Sequence, residues 1–303
     1  MHKNIIMAFP LLNNVSKKTS IILFFVLFVF GYVFSSLLAV LITGMLSGYV
    51  SELNILRVVQ ICGQLFMFIL PALSYVSLVK KYPAKALGFN RMPLYGCIGV
   101  LMIFFIVPIN DLLLKWNESI TLPESLRNVE CFFKEMQKVA EETTDIMLNV
   151  DTIGGLILNI IMVAVLAAVG EELVFRSLIQ PFMIRSFKNA HLGIFFTAVL
   201  FSAFHFEFYG FLPRLVLGML LGYMFFYTRS IWTSIIMHFI NNAIIVVLYY
   251  LNNLGLTDID VETIGRTDNF FVLAGSLILM IISFIITVNC YKKYDNETVI
   301  YDR

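Results

Sequence analysis

The sequence predicts an all-α membrane protein that crosses the bilayer about eight times, and three observations support this fold class. Hydrophobic residues make up 59% of the 303 residues and the mean hydropathy is +0.87, whereas soluble domains contain roughly 45–50% apolar residues. Charged residues make up only 14%, with a net charge of +1. Several apolar runs reach the ~20 residues that a spanning helix needs. The composition therefore excludes a soluble fold. It also offers no basic patch that could follow a phosphate backbone, so no nucleic-acid partner is expected.

Eight apolar segments are the candidate spans. In chain order they cover residues 19–46, 58–79, 96–115, 153–184, 192–209, 211–227, 231–251 and 270–290. The first segment is longer than the roughly 7–15 apolar residues of a signal peptide and has no clear Ala-x-Ala site after it. We therefore expect it to remain as a span in the protein.

Basic residues in the connecting segments predict the orientation, because Lys and Arg concentrate in short loops that face the cytoplasm. Alternate connections carry these residues: Lys80, Lys81, Lys85, Arg91, Arg185, Lys188, Arg229, Lys292 and Lys293. The opposite connections are richer in acids: Glu52 beside Arg57, a stretch from Glu118 to Asp151, and Asp258, Asp260, Glu262 and Asp268. Arg214 is the one basic residue that does not fit the alternation. The pattern predicts that both termini of the eight-span bundle are cytoplasmic.

The segment 124–142 is predicted to form an amphipathic helix on the outer surface. Apolar residues recur there at helical spacing between charged ones: Phe132, Phe133, Met136 and Val139. Such a helix either only packs on the bundle or also caps it and controls lateral access. The chain is thus divided into three parts. Residues 1–152 hold three spans and the external helix, residues 153–251 hold a four-span core, and residues 252–303 hold a loop and the last span.

The fourth span contains three charged residues, Glu171, Glu172 and Arg176, within an apolar run. One charge at the bilayer centre costs about 2.5–3.5 kcal/mol, so these side chains should face the bundle interior and find partners there. Glu172 and Arg176 are four residues apart and can pair on one helix face. Glu171 points about 100° away and is left free to act as a general base. The alternative is an ion-pair cluster with a purely structural role.

Two further polar insertions supply candidate partners. Glu171 lies 17 residues before Lys188 and His205 lies 17 residues after it, so a helical hairpin that turns near Lys188 would bring them to the same depth. His238 and Asn242 are four residues apart on the seventh span and can both donate hydrogen bonds to an oxyanion. The depth of His238 is left open, because it lies only nine residues beyond Arg229.

Two chemistries fit these groups. In the first, Glu171 with His205 deprotonates a water molecule that attacks a peptide carbonyl, and the other polar groups stabilise the oxyanion. In the second, Zn²⁺ bound by His205, His238 and a glutamate activates the water. The chain has no His-Glu-x-x-His motif, which weakens the metal hypothesis. No serine lies in a nucleophile elbow, and the four cysteines are scattered without Cys-x-x-Cys spacing: Cys62, Cys97, Cys131 and Cys290.

Three motifs in order, Glu-Glu-x-x-x-Arg at 171–176, Phe-x-x-x-His at 201–205 and His-x-x-x-Asn at 238–242, resemble those of the CPBP family. This family comprises intramembrane proteases of the CAAX prenyl endopeptidase type and the related Abi proteins of bacteriocin processing and immunity. The resemblance covers the core from residue 153 to 251. It implies endoproteolysis of a membrane-embedded or lipid-anchored protein or peptide, in a multi-pass protein of the bacterial cytoplasmic membrane.

The resemblance also implies roles for individual residues. Glu171 and His205 would activate water, His238 and Asn242 would form the oxyanion hole, and Glu172 with Arg176 would hold the helix. A metal-free mechanism is favoured, because Asn242 suits an oxyanion better than zinc. If a metal is bound, its ligands are Glu171, His205 and His238.

Two non-proteolytic functions compete with this hypothesis. A membrane binder of the immunity type would use the motif residues only structurally. A small transporter would use Glu171 and the two histidines as a proton relay, although no inverted repeat supports it. Partners expected in all cases are membrane lipids, together with a protein or peptide for the first two.

Overall fold

The computed structural model describes residues 12, 16–258, 265–267 and 269–301, and within them every regular element is a helix. Most of the N-terminal segment and the acidic residues Asp260, Glu262 and Asp268, which entered the orientation prediction, lie outside the described residues. All four cysteines are unpaired. The predicted all-α class is confirmed.

Eleven helices position the site. In chain order they are α1 (Lys17–Leu46), α2 (Glu52–Val79), α3 (Pro83–Ala86), α4 (Leu94–Phe105), α5 (Val107–Glu118), α6 (Arg127–Leu148), α7 (Ile153–Phe187), α8 (Ala190–Ala203), α9 (Phe211–Thr228), α10 (Ile231–Asn253) and α11 (Phe270–Tyr301). Six of them are long and apolar enough to cross a membrane: α1, α2, α7, α9, α10 and α11. The bent pair α4–α5 brings the number of candidate spans to seven.

The predicted span 96–115 is a broken helix. Its two halves, α4 and α5, meet at an angle of 44° around Ile106. Pro108 occupies the start of α5, where a missing N–H is tolerated but the preceding helix cannot continue unbroken. The proline thus explains the bend that hydropathy alone did not indicate.

The predicted span 192–209 is only partly helical, and this expectation is corrected. Helix α8 ends at Ala203 after 14 residues, and a turn follows in which Phe206 adopts a positive φ of 56°. The buried Asn117 side chain holds the end of this turn, because its amide nitrogen donates to the Phe208 carbonyl at 3.0 Å and its oxygen accepts from the Leu212 N–H at 2.8 Å. Because the turn residues are largely apolar, hydropathy does not indicate that the helix ends at Ala203.

Helix α7 is the central element of the bundle. It packs against α2, α8 and α10, while α9 packs against α8 and α10, α11 lies against α4, and α1 lies against α2. Lys188 and Arg229 each adopt a left-handed conformation with φ of 51° and end α7 and α9. The predicted turns near these two residues are confirmed.

Three stretches of π-helix interrupt the two spans nearest to the site. Residues 64–69 of α2 and residues 160–166 and 173–179 of α7 take this form. Stretches of π-helix shift the face on which later side chains emerge, and in many proteins they occur at functional sites. Counting faces along α7 with an ideal α-helical period therefore becomes unreliable beyond the first stretch.

The predicted amphipathic helix is present as α6, which extends to Leu148. Phe132 is exposed, whereas Phe133 stacks on Phe208 with 5.2 Å between ring centroids. Helix α6 therefore contacts the turn that follows α8. This contact supports at least the packing role that the sequence suggested.

Candidate active site

The structure brings the three polar insertions together inside the bundle. Glu171, Glu172 and Arg176 lie midway along α7, while His238 projects from α10 toward them. His205 lies in the turn just after α8 rather than on a helix. Glu172 and Arg176 are fully buried, and the exposed fractions of Glu171 and His238 are 9% and 4%.

Both histidines approach the same oxygen of Glu171. Nε2 of His205 and Nε2 of His238 each lie 3.9 Å from Oε2 of Glu171, and this oxygen is buried without a hydrogen-bond partner. The predicted equal depth of Glu171 and His205 is confirmed. A separation of 3.9 Å is too long for a direct hydrogen bond and is a distance that one water molecule bridges.

The other ring nitrogens fix how the two imidazoles are protonated. Nδ1 of His205 lies 2.8 Å from the carbonyl oxygen of Phe201, and Nδ1 of His238 lies 3.2 Å from Oε1 of Glu172. Because a carbonyl and a carboxylate only accept hydrogen bonds, both Nδ1 atoms carry the hydrogen. The Nε2 atoms of both rings then face Oε2 of Glu171.

The predicted pair of Glu172 and Arg176 is confirmed. Nε of Arg176 lies 3.0 Å from Oε2 of Glu172, and both side chains are fully buried. This is an ion pair whose geometry falls short of an aligned hydrogen bond. The guanidinium also lies 4.8 Å from the ring centroid of Phe201, an arrangement that favours the cation. The sequence did not reveal that Glu172 holds His238 as well.

Asn242 is already engaged in a contact between helices. Its amide nitrogen donates to the carbonyl of Val163 on α7 at 3.0 Å, and its oxygen accepts from the side chain of Asn241 at 3.1 Å. One of its two N–H groups is therefore committed to the protein, and the second remains for a ligand. Asn241 thus supports the side chain of its neighbour.

A cavity of about 310 Å³ opens onto Glu171 and His205. It is bounded by α2 as well as by α7 and the turn after α8, through Gln60, Gly63, Gln64, Met67, Phe68, Phe175 and Phe204. Gln64 is 8% exposed and its Oε1 has no hydrogen-bond partner. Sequence reasoning missed this residue, although the polar pair Gln60 and Gln64, four residues apart in an apolar run, was a visible signal.

Close packing brings Gln64 to the site. A Cβ atom added at Gly170 would lie 3.0 Å from Cβ of Phe68 and 3.1 Å from Oε1 of Gln64. The absence of a side chain at Gly170 therefore lets α2 approach α7 directly beside Glu171. The glycine thus places the cavity wall against the catalytic candidate.

The polar side chains of the site are not arranged as a ready metal site. Within the described part of the chain, no group of three or more His, Cys, Asp or Glu side chains is arranged as a metal site. The donors Glu171, His205 and His238 have the right chemistry, and each Nδ1 is held by an oxygen as in zinc sites. Their 3.9 Å separations from Oε2 exceed the roughly 3.3–3.5 Å between ligand atoms of a tetrahedral zinc. Zinc binding would require these side chains to draw together.

The turn after α8 also explains the exceptional Arg214. Its guanidinium pairs with Glu207. Glu207 lies in the same turn as His205, two residues further along the chain. The exposed fractions of the two side chains are 27% and 26%. Since its charge is compensated within the protein, Arg214 carries little weight for the orientation prediction.

Comparison with known proteins returned one family. Residues 153–244 match the family model described as type II CAAX prenyl endopeptidase Rce1-like. This segment spans a little under a third of the chain and contains all three motifs. A search of curated proteins found no match, and a search of solved structures found none either.

Proposed function

We propose, from the CPBP/CAAX protease core that residues 153–244 form, that the chain is an intramembrane endopeptidase. Its substrate would be a membrane-embedded or lipid-anchored polypeptide, and the nucleophile would be a water molecule. The observation that carries this proposal is the convergence of two Nε2 atoms on Oε2 of Glu171 at 3.9 Å, beside a cavity of about 310 Å³.

In the proposed reaction, Glu171 with His205 removes a proton from the bridging water as its oxygen attacks the scissile carbonyl carbon. The tetrahedral oxyanion accepts hydrogen bonds from Nε2–H of His238 and from the second N–H of Asn242. In this proposed reaction both ring nitrogens of His238 carry a proton, and Nδ1–H donates a hydrogen bond to Glu172. The proton held by Glu171 then passes to the amide nitrogen as the C–N bond breaks.

The pair Glu172 and Arg176 acts as a positioning unit in this proposal. The pair lies within α7, and through the contact of Glu172 with His238 it links α7 to α10 and fixes the ring of His238. The reacting atoms thus sit between two rigid helices, α7 and α10, and the more exposed turn that carries His205. Preorganised donors of this kind are worth more in a water-poor site than in bulk water.

Gln64 is proposed to bind the substrate main chain. Its buried amide has no partner for Oε1 and lies in the cavity that holds Glu171. A primary amide offers both a donor and an acceptor, which matches a peptide group. A substrate N–H would satisfy the oxygen that otherwise stays unpaired at a free-energy cost of about 1–3 kcal/mol.

The finer topology belongs to the same proposal. Counting α4–α5 as one span and α8 with its following turn as another gives eight membrane segments, with both termini on the cytoplasmic side of a bacterial inner membrane. Single cysteines introduced into a variant free of the four native thiols test this, because a membrane-impermeant thiol reagent labels only one side. Labelling of position 85 from outside intact cells would contradict the orientation.

The deciding experiment measures proteolysis in liposomes with prenylated and unprenylated peptide libraries, with and without a chelator. Wild type is compared with Glu171→Gln, and Glu135→Gln on the external helix α6 is the matched control. We expect cleavage that survives chelation, falls at least about 10²-fold in Glu171→Gln and persists in Glu135→Gln. Peptide binding without cleavage, equal in all three proteins, would instead support an immunity-type binder.

A zinc-dependent form of the same protease is the second candidate, favoured by the two histidines that present Nε2 while Nδ1 is held by an oxygen. Zinc would supply Lewis acidity toward water when bound by Glu171, His205 and His238. Loss of cleavage on chelation, restored by Zn²⁺ but not in His205→Ala, would establish this form.

A further inference from the structure

A second cavity, of about 270 Å³, lies away from the candidate active site. It is bounded by α1, α2, α3 and the last part of α7, and none of its lining residues borders the cavity of Glu171. The cavity lies at the end of the bundle that carries Lys80 and Arg185. The proposed peptidase does not use this space.

The lining of this cavity combines an apolar interior with two cations. Aromatic side chains form much of the wall: Phe24, Phe25, Tyr75 and Phe182. Lys80 and Arg185 border it, and no acidic residue does. Within the described residues neither cation has an ion-pair partner. The hydroxyls of Ser177 and Tyr75 are engaged with Leu87 and Ser20, so the charges are the free polar groups.

The two cations lie at the ends of candidate spanning helices, where headgroups are expected in a bilayer. Lys80 caps the end of α2, and Arg185 lies in the last turn of α7, so both are at ends of spanning helices. On the apolar side, Phe25 is 46% exposed on the candidate span α1, whose exposed apolar surface would contact lipid in a bilayer. In a bilayer the cavity would therefore border lipid on one side, with positive charge at its end.

We propose that this cavity, which we call the basic cavity, binds one anionic phospholipid. Its headgroup phosphate contacts Lys80 and Arg185, and part of one acyl chain lies against Phe24, Phe25 and Phe182. Basic pockets between spanning helices recognise anionic lipids in this way. A free phosphate would leave the apolar wall unused, and a neutral lipid would leave the two charges unused.

A less specific explanation makes a different prediction. Cations at helix C-termini are favoured by the helix dipole, and long basic side chains reach toward headgroups anywhere on a membrane protein. Under that explanation any two basic residues on this face would contribute equally to lipid retention. Lys81, which lies 5.6 Å from the ring centroid of Tyr82, and Lys188 at the end of α7 provide the comparison.

The test counts lipids retained by the full-length protein in native mass spectrometry, after incubation with phosphatidylglycerol or phosphatidylcholine of identical chains. The variant Lys80→Ala/Arg185→Ala is compared with the control Lys81→Ala/Lys188→Ala. A third variant, Ala86→Trp, keeps both charges and fills the basic cavity from the exposed face of α3. Inorganic phosphate is added as a competitor in a separate arm.

We expect wild type and control to retain one phosphatidylglycerol in preference to phosphatidylcholine. Retention should fall about tenfold or more in the double variant, because each basic residue near a headgroup contributes about 1 kcal/mol, and it should also fall in Ala86→Trp. Equal retention in the double variant and its control, no preference for the anionic lipid, or displacement by inorganic phosphate would each overturn the proposal. None of these readouts depends on peptide hydrolysis.

Discussion

Nδ1 of His238 lies 3.2 Å from Oε1 of Glu172, so one carboxylate holds both a guanidinium and an imidazole. The same imidazole faces Glu171 with its other nitrogen. The adjacent residues Glu171 and Glu172 therefore contact opposite sides of one histidine. Glu172 is thus engaged with charged and polar groups of the protein, whereas Glu171 is open to a cavity. We therefore expect different consequences when each carboxylate is replaced by an amide.

Glu172→Gln should be strongly destabilising. It leaves the fully buried guanidinium of Arg176 without a counter-charge, and breaking a buried ion pair in this way costs about 3–5 kcal/mol. Thermal unfolding in detergent measures the effect. Glu171→Gln is the matched control, and its unfolding temperature should change far less because Oε2 of Glu171 has no protein hydrogen bond. Equal losses of stability would contradict the division between the two carboxylates.

Removing both charges should recover stability without recovering turnover. In Glu172→Leu/Arg176→Met the uncompensated charge is gone, and apolar replacements of a buried pair are often neutral or stabilising. His238 nevertheless loses the acceptor for Nδ1–H. We expect unfolding near that of wild type together with low peptidase activity. Full activity in this double variant would show that Glu172 does not orient His238.

Asn242→Ala separates an oxyanion role from a packing role. Loss of the bond to Val163 alone should reduce stability by about 0.6–2 kcal/mol, whereas loss of an oxyanion donor lowers kcat by about 10²–10³. We expect both effects. In Asn241→Ala, which removes only the neighbouring contact, kcat should stay within about threefold of wild type. A similar kcat for the two variants would remove Asn242 from the oxyanion hole.

Gln64→Leu should raise KM more than it lowers kcat, because the proposed contact is with the substrate main chain. Gln60→Leu, one turn away on the same cavity wall, is the control. A substrate in which the relevant amide N–H is replaced by an ester oxygen provides the critical comparison. Gln64→Leu should have little further effect on that substrate, and an undiminished effect would rule out the proposed hydrogen bond.

Gly170→Ala should destabilise the protein and reduce activity. The added Cβ would meet Phe68 and Gln64 at 3.0 and 3.1 Å, and overpacking of this kind costs about 1–3 kcal/mol. The alanine gains about 0.5–1 kcal/mol in helix propensity, so the net change remains unfavourable. Gly154→Ala, where a Cβ would meet nothing within 4 Å, should instead be neutral or stabilising. The sign of the two changes in unfolding temperature checks the argument.

Much of the site was predictable where it depended on short-range geometry. The pairing of Glu172 with Arg176 followed from their spacing of four residues. The proximity of Glu171 and His205 followed from a symmetric hairpin around Lys188. Both predictions rest on a single helix or a single turn, in which the chain itself fixes the distances.

The sequence left the geometry open where neighbouring helices decide it. The position of His238, nine residues beyond Arg229, could not give a depth, because the helix ends need not lie in one plane. The approach of His238 to Glu172 also depends on the rotation of two helices, and the π-helical stretches of α7 change that rotation. Gln64 was missed because its position beside Glu171 depends on the close packing at Gly170, which is distant in sequence.

In the proposed eight-segment topology, the short α8 gives the protein an uneven hydrophobic thickness. Its 14 residues span about 21 Å at 1.5 Å per residue, less than the roughly 30 Å of a bilayer's hydrocarbon core. Lipids beside it must thin, or polar groups and water must occupy the remaining depth, and His205 lies where that deficit begins. The acyl-chain length of the surrounding bilayer therefore becomes a variable of the site, with thicker membranes opposing the entry of water.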